Sequence, residues 1–380
     1  MPRQTQAVKT LFDIIGSETA ASGVLSFARF MELALYCPVH GYYETQKDSV
    51  GQRGDFYTSV STGELFGELL AFQFSQWLEQ IKTSSSQPST LNLIEAGAHD
   101  GKLARDILGW LRTNRPQLFE QVEYLILEPS PVRQGWQREA LKDFPNVRWL
   151  SGLPEMVGRD SVEPKPKNVR GIIFSNELLD AMPVHRYGWD ARNKKWFEWG
   201  VAVAGEKFIW AKIQTPNWDL PSSIRQLPSS LLDVLPDGYA IETSPAAENW
   251  WREAAGMLAH GKLLAIDYGH GAGELFSPAR PRGTLRAYHR HHVSDDLLAN
   301  VGEQDLTAHV NFAAIQSVGE AAGLATESFT PQPQFLTQIL GAAMTDESFG
   351  GWNARRTRQF QTLTHPEHLG RAFRVLVQSR

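Results

Sequence analysis

An α/β fold built on a mostly parallel, doubly wound sheet is predicted by three observations. Residues 91–108, LNLIEAGAHDGKLARDIL, read as an apolar strand ending in Glu95, a turn carrying Gly97 and Gly101, and a helix marked by Leu103, Ile107 and Leu108. Residues 122–130, VEYLILEPS, read as a second buried strand ending at Glu128. Beyond them the alternation continues, with strands expected at 147–150, 171–175 and 262–267 and a helix from about 245 to 258. Strand and helix in regular alternation give parallel strands with helices on both faces.

The flanking segments are of a different kind. Residues 8–35 carry two amphipathic helical patterns, VKTLFDIIGSETA and SFARFMELALY, the second following Ser26 as N-cap. A turn-rich stretch, CPVHGYYETQKDSVGQRGDFYTS, leads to ELFGELLAFQFSQWLEQI at 64–81, a helix with one strongly apolar side. TSSSQPST at 83–90 is a polar break before the sheet. Residues 186–213 switch to successive antiparallel strands, with turns at Asp190–Asn193 and Gly205–Glu206. The proline-rich 216–238 reads as a surface excursion, 309–323 as a helix and 370–378 as a terminal strand. The expected domains are therefore a helical cap at 1–88, a core at 89–187 and 238–380, and a β-rich insertion at 188–237.

Composition narrows the function classes. The chain has 380 residues, 42% hydrophobic and 21% charged, with a net charge of −5. That is ordinary globular composition and argues against a general nucleic-acid binder. The single cysteine, Cys37, excludes an intramolecular disulfide and a cysteine-rich zinc site. It reads as a structural residue of a tight turn. No apolar run approaches the roughly 20 residues of a membrane span, and the N-terminus has neither signal nor transit character. The expectation is a soluble, cytoplasmic protein, with a homodimer left open.

The 95–101 turn is not a dinucleotide fingerprint. It reads E-x-G-x-H-x-G, with His99 where a middle glycine would stand, and it lacks the Gly-Lys-Ser/Thr ending of a P-loop. Glycine still lets the chain turn sharply and a ligand approach bare backbone. Glu95 would repel a pyrophosphate but suits a ligand with a cation and hydroxyls. S-adenosylmethionine, with its sulfonium, α-ammonium and ribose, fits that description; the plainer alternative is an ordinary strand-to-helix turn. Glu128 lies 27 residues past Gly101. In doubly wound folds an acid after the second strand, roughly 20 residues past the glycine turn, binds ribose hydroxyls. The alternative for Glu128 is a helix-terminal acid. Ligands in such sheets bind beyond the strand carboxyl ends. Glu95, Glu128, Asn176–Glu177 and Asp267 all fall there, which predicts a functional cleft.

Several blocks of this chain resemble the MidA-like methyltransferases, a family that includes a mitochondrial complex I assembly factor that methylates arginine. They are FARFMELALYCPVHGYY, GDFYTSVSTGELFGELLA, IEAGAHDGKLARDIL, YLILEPS, SNELLDAMPVHR, LLAIDYGH, and RGTLRAYHRHH with GEQDLTAHVNF. They run in family order from about residue 26 to 315. The resemblance implies a class I S-adenosylmethionine-dependent methyltransferase fold, Rossmann-like, with an N-terminal helical cap and a β-rich insertion. It further implies that Gly54, Asp55 and Thr58 of GDFYTS close over the cofactor or the acceptor. One position departs from the family: His99 replaces a glycine, and its side chain would crowd the methionine moiety unless it points away.

An arginine acceptor needs carboxylates, because guanidinium is always charged and pairs bidentately with them. Glu177 and Asp180 are three apart after the fourth strand; a helical turn over 176–181 would put both on one side. They are the candidate catalytic residues, with Asp180 alternatively ordering the loop before Pro183. Glu95, Gly97, Gly101, Glu128, Asn176, Gly54, Asp55 and Thr58 are the candidate cofactor residues. Asp267 faces the acceptor side or caps the Gly269–Gly273 loop, and His185 reads as a satisfied loop histidine. His289, His291, His292 and His309 invite a metal reading, but the HRHH run at 289–292 is a loop with two arginines nearby, which disfavours a bound cation. The expected function is methyl transfer to an accessible arginine of a partner protein, such as a respiratory-complex subunit. The alternatives are a small-molecule methyltransferase and an assembly chaperone that keeps the fold and works by binding.

Overall fold

Strand Leu91–Ala96 is flanked on both sides by parallel partners, Val169–Asn176 and Val122–Leu127, in an eight-stranded sheet. The full order is Ala325–Pro331, Phe373–Ser379, Leu258–His270, Val169–Asn176, Leu91–Ala96, Val122–Leu127, Val147–Leu150, and Val310–Asn311 pairs with Leu258–His270. The pairs from Leu258–His270 to Val147–Leu150 are parallel, and the two made by Phe373–Ser379 are antiparallel. The sheet is thus mostly parallel, as expected. The computed structural model describes residues 10–45, 58–83, 90–152, 168–213, 220–278, 280–289 and 292–380.

Residues alternate between the two faces of each strand. On one face Leu93, Tyr124, Ile126, Ile172, Phe174, Leu264 and Val375 join one core cluster with helices Leu65–Thr83, Lys102–Asn114, Gln332–Ala343 and Ala354–Thr364. The intervening residues Ile94, Leu125, Ile173, Leu263 and Leu376 are equally buried. Both faces are therefore covered, which parallel sheets require. On the second face the indole N–H of Trp251, from helix Pro245–Met257, donates to Gln378 Oε1 at 2.8 Å.

The chain divides into two units: residues 50–180, 247–272 and 310–380 hold the eight-stranded sheet, and residues 1–49, 181–246 and 273–309 form the other. This differs from the expected boundaries in two ways. Helix Leu65–Thr83 belongs to the sheet unit, because Leu65, Phe66, Leu69, Phe74 and Leu78 are wholly buried in the sheet's own core cluster. The strands expected as an insertion are part of the second unit, together with the N-terminal helices and residues 273–309.

In that unit, helices Leu11–Ser22 and Phe27–Tyr36 pack with a five-stranded sheet of Leu25–Ser26, His185–Asp190, Lys195–Ala204, Lys207–Ile213 and Ala240–Thr243. Ser26 caps the second helix, its hydroxyl accepting from the Arg29 N–H. The hairpin strands expected over 186–213 are present, with turns between 190 and 195 and at 205–206. A three-stranded sheet joins His292–Ser294, Arg286–His289 and Asp305–Thr307. The proline-rich stretch is not wholly a surface excursion: Ile224 and Leu235 are buried with Trp189, Trp196 and Tyr239. No helix among the described residues is long and apolar enough to cross a membrane.

Candidate active site

Strand register brings the predicted acids to one edge of the sheet. Ala96 pairs with Leu127 on one side and with Ser175 on the other, and Asn176 pairs with Ile266. Glu95, Glu128, Asn176–Glu177 and Asp267 therefore lie at or near the carboxyl ends of four neighbouring parallel strands. Asp267 is not terminal as expected; its strand runs on to His270, because Gly269 and His270 pair with Val310 and Asn311.

Glu95 is 2% exposed and accepts a 2.7 Å hydrogen bond from the Tyr124 hydroxyl. The two share a face because Tyr124 pairs with Leu93, two residues before Glu95. Burial pushes the Glu95 carboxyl up to about 7, against the lowering effect of the Tyr124 hydrogen bond.

Three residues of the following turn are left-handed: Gly97 at φ +78°, His99 at +45° and Gly101 at +83°. A Cβ on Gly97 would stand 3.0 Å from Leu178 Cδ1 and 3.2 Å from Leu178 Cβ. Gly101 precedes helix Lys102–Asn114, and a Cβ there would meet the Gln137 Cα at 3.3 Å. The Asp100 carboxylate accepts from the Lys102 N–H at 3.0 Å and fixes the helix start. Lys102 Nζ donates to the Val60 carbonyl, which ties the 58–62 turn to this helix.

Glu128 follows its strand by one residue and is 2% exposed. Its Oε1 accepts from Ser130 N at 2.9 Å, Arg133 Nε at 2.9 Å and Arg133 Nη2 at 2.8 Å. Its Oε2 accepts from Gln137 Nε2 at 3.1 Å. One lone-pair direction of Oε2 is left after these bonds. Sequence reasoning missed Arg133 and Gln137. Their only signal was position on the helix that directly follows the acid.

Asn176 and Glu177 adjoin the 58–62 turn. Glu177 Oε1 accepts from Asn176 Nδ2 at 3.1 Å and from Ser59 N at 3.3 Å. Ser59 Oγ in turn donates to Gln332 Oε1 at 3.2 Å. Residues 176–181 do not form the helical turn expected. Glu177 is left-handed at φ +53°, and the segment after it is bend and turn. The cause is Asp267, which is wholly buried: its Oδ2 accepts from Leu178 N at 3.1 Å and Leu179 N at 2.8 Å, and its Oδ1 from Tyr268 N. Burial raises the Asp267 carboxyl to about 7, opposed by these backbone donors and that of Asp180. Asp267 thus holds the 178–180 backbone rather than capping 269–273. Asp180 is itself buried.

Of the GDFYTS block, Gly54 and Asp55 lie outside the described residues, while Thr58 is buried and starts the 58–62 turn. His185 lies on a strand, not a loop, with Nδ1 2.6 Å from Glu198 Oε1. Cys37 is buried, and burial raises its thiol. Among the described residues no group of His, Cys, Asp and Glu could hold a metal; His291 is outside them.

Two polar atoms in this region, His99 Nε2 and Asn176 Oδ1, are buried and meet no hydrogen-bond partner among the described residues. Buried polar atoms are normally paired, so both are places where a polar ligand group fits. Together with the poised Glu95 and the glycine turn, they fit an amino-acid nucleoside such as S-adenosylmethionine.

Comparison with known proteins points the same way. A family described as S-adenosyl-L-methionine-dependent methyltransferase matches residues 69–330. A Burkholderia thailandensis protein, whose crystal structure is bound to S-adenosyl-homocysteine, superposes with a TM-score of 0.82 at 30% identity, covering 97% of this chain and 92% of that one. The Drosophila melanogaster protein arginine methyltransferase NDUFAF7 homolog, mitochondrial, is 26% identical over 94% of this chain and 82% of its own. The Danio rerio protein arginine methyltransferase NDUFAF7, mitochondrial, is likewise 26% identical, over 96% and 86%. The mitochondrial names of these relatives do not support the cytoplasmic expectation. With its sheet, its glycine turn and its row of strand-end acids, the chain belongs to this family of S-adenosylmethionine-dependent methyltransferases.

Proposed function

We propose that this methyltransferase modifies an arginine side chain of a partner protein, with Glu177 and Asp180 engaging the guanidinium. The observation that carries the reading is the turn after strand Val169–Asn176, where Asp267 holds the backbone between two acids beside the strand that leads into the glycine turn. The names of the fly and zebrafish relatives support an arginine acceptor. Glu95, Gly97, Gly101, Glu128 and Asn176 would hold the cofactor, with Thr58, Gly54 and Asp55 beside it. When bound, S-adenosylmethionine supplies a methyl carbon activated by its sulfonium. The carboxylates accept guanidinium N–H bonds, orient one nitrogen toward that carbon and offset the repulsion between two cations. The same groups take up the proton that the nitrogen sheds as it gains the methyl.

In this reading the partner is a subunit of a respiratory complex, met in the bacterial cytoplasm, and the enzyme acts alone or as a homodimer. Purified enzyme, methyl-labelled S-adenosylmethionine and extract of a deletion strain test it. Label on arginine, located by mass spectrometry in a respiratory subunit, is the expected result. Label confined to small molecules would overturn it. Fractionation and light scattering test the compartment and the oligomer.

A further inference from the structure

We propose that Gln137 is a positioning residue that joins the glycine turn and Glu128 into one rigid cofactor cradle. The inference rests on the reading of Glu128 as the ribose acid. Gln137 lies on helix Pro131–Ala140 and is wholly buried. Its Nε2 donates to the His99 carbonyl at 3.0 Å and to Glu128 Oε2 at 3.1 Å. Its Oε1 accepts from the Trp149 indole N–H at 2.9 Å. The amide has two N–H groups, and one goes to each side of the site.

Four segments therefore converge on one carboxamide: the turn after strand Leu91–Ala96, the acid after Val122–Leu127, the helix that follows, and strand Val147–Leu150. The orientation of the amide is determined. A flipped Gln137 would turn its oxygen toward two acceptors and its nitrogen toward the Trp149 donor. Trp149 thus selects the state in which both donors face the site.

The geometry has a use beyond filling space. An apolar side chain of the same volume would fill the space but take this partner from the His99 carbonyl, Glu128 Oε2 and the Trp149 N–H. Only the amide can fix Glu128 Oε2 relative to the His99 carbonyl. Arg133 and Ser130 occupy Oε1, so Oε2 is the oxygen left to meet ribose, and Gln137 alone among the described residues is seen to orient it. Helix Pro131–Ala140 also approaches the turn closely enough that Gly101 meets the Gln137 backbone, which brings the two within reach.

The test is calorimetric titration of S-adenosylhomocysteine and its 2′,3′-dideoxyribose analogue into wild type, Gln137→Met and Glu128→Gln. Gln137→Met keeps the volume and removes both donors. It should weaken S-adenosylhomocysteine roughly tenfold, as expected for losing one hydrogen bond to a charged group. The dideoxy analogue should lose clearly less, since it has no hydroxyl for Glu128 to meet and feels only the loosened glycine turn. In turnover, KM for S-adenosylmethionine should rise while kcat at saturation is retained. Equal losses for both ligands would make Gln137 a packing residue and overturn the inference. A selective loss in Glu128→Gln with none in Gln137→Met would overturn the inference and leave the ribose reading standing. No loss in Glu128→Gln would end the ribose reading, and the inference with it. If Gln137→Met does not fold, Trp149→Phe releases the amide orientation and should give the same ligand selectivity at smaller size; equal losses there would again overturn the inference.

Discussion

The backbone N–H of Leu179 donates to the Asp267 carboxylate at 2.8 Å, across 88 residues of sequence. This bond and its neighbour from Leu178 keep the chain after Glu177 from continuing as strand or helix. The acid of one strand thereby shapes the turn at the end of the next.

Asp267→Asn should loosen that turn. The amide keeps one oxygen, so either the Tyr268 N–H or the pair from Leu178 and Leu179 loses its acceptor and faces an N–H instead. A buried donor left unpaired costs about 1–3 kcal/mol. Hydrogen exchange should quicken at Leu178 and Leu179 or, if the oxygen stays with them, at Tyr268, and methyl transfer should fall, while S-adenosylhomocysteine still binds. Unchanged protection at Leu178, Leu179 and Tyr268 together would show that the clamp is not what orders the turn.

Gly97 has a narrower requirement. At φ +78° an alanine is strained by about 1–2 kcal/mol, and its Cβ would press on Leu178 at 3.0–3.2 Å. Gly97→Ala should lower the melting temperature modestly. Gly97→Val should cost more and, on the proposed reading, abolish cofactor binding, because its branches press harder on Leu178 and displace the turn that would hold the ligand. A folded Gly97→Val protein that binds S-adenosylhomocysteine as well as wild type would mean that the cofactor lies elsewhere.

Glu95 predicts a pH dependence with a definite sign. Its carboxyl is raised from 4.5 to about 7 in the folded protein. A raised folded value means stability fully present below about 4.5 and lost as pH climbs through 7. The shift corresponds to about 3 kcal/mol, and Asp267, also raised to about 7, adds in the same direction. Binding runs the other way. A ligand ammonium or hydroxyl favours the ionised carboxylate, so affinity should rise with pH from 6 to 8, at most about tenfold per unit below the pKa. S-adenosylhomocysteine suits the measurement because its ammonium keeps its proton across this range. Glu95→Gln, which still accepts from Tyr124, should reduce the pH slope of the melting temperature and flatten that of binding. An equally steep binding profile in Glu95→Gln would assign the titration to another group.

Much of this site is legible in the linear chain, and the limits have a physical cause. Strand Leu91–Ala96 and its parallel neighbours are continuous apolar runs, so the strand-end acids stand out against them. What stays hidden are contacts made by ordinary polar residues from distant segments. Arg133 and Gln137 carry no motif, the blocks that contain Tyr124 and Ser59 do not single them out, and only the fold brings each to Glu95, Glu177 or Glu128. The helical turn expected over 176–181 failed for the same reason, since spacing alone cannot reveal the Asp267 clamp. Strand Ala325–Pro331 escaped notice because its sequence, ATESFTP, is half polar and lies at the sheet edge.

Glu177→Gln separates an enzyme from a binding protein with the same fold. The amide preserves shape and keeps an oxygen for the Ser59 N–H, so the turn should survive. On the proposed reading it removes a charge that offsets guanidinium against sulfonium. Methyl transfer should fall on the order of 10²-fold or more, about 3 kcal/mol of transition-state stabilisation. S-adenosylhomocysteine affinity should stay within about twofold, a difference of less than 0.5 kcal/mol, and the complex with the partner should still form. Asp180→Asn should behave alike if the two acids share the guanidinium. The measurement is complementation of a deletion strain by each variant, with mass spectrometry of the partner's arginines. Loss of both methylation and complementation is expected. Full complementation without any methylated residue would leave a chaperone that binds through the methyltransferase fold, because only binding would then distinguish the variant from an empty strain.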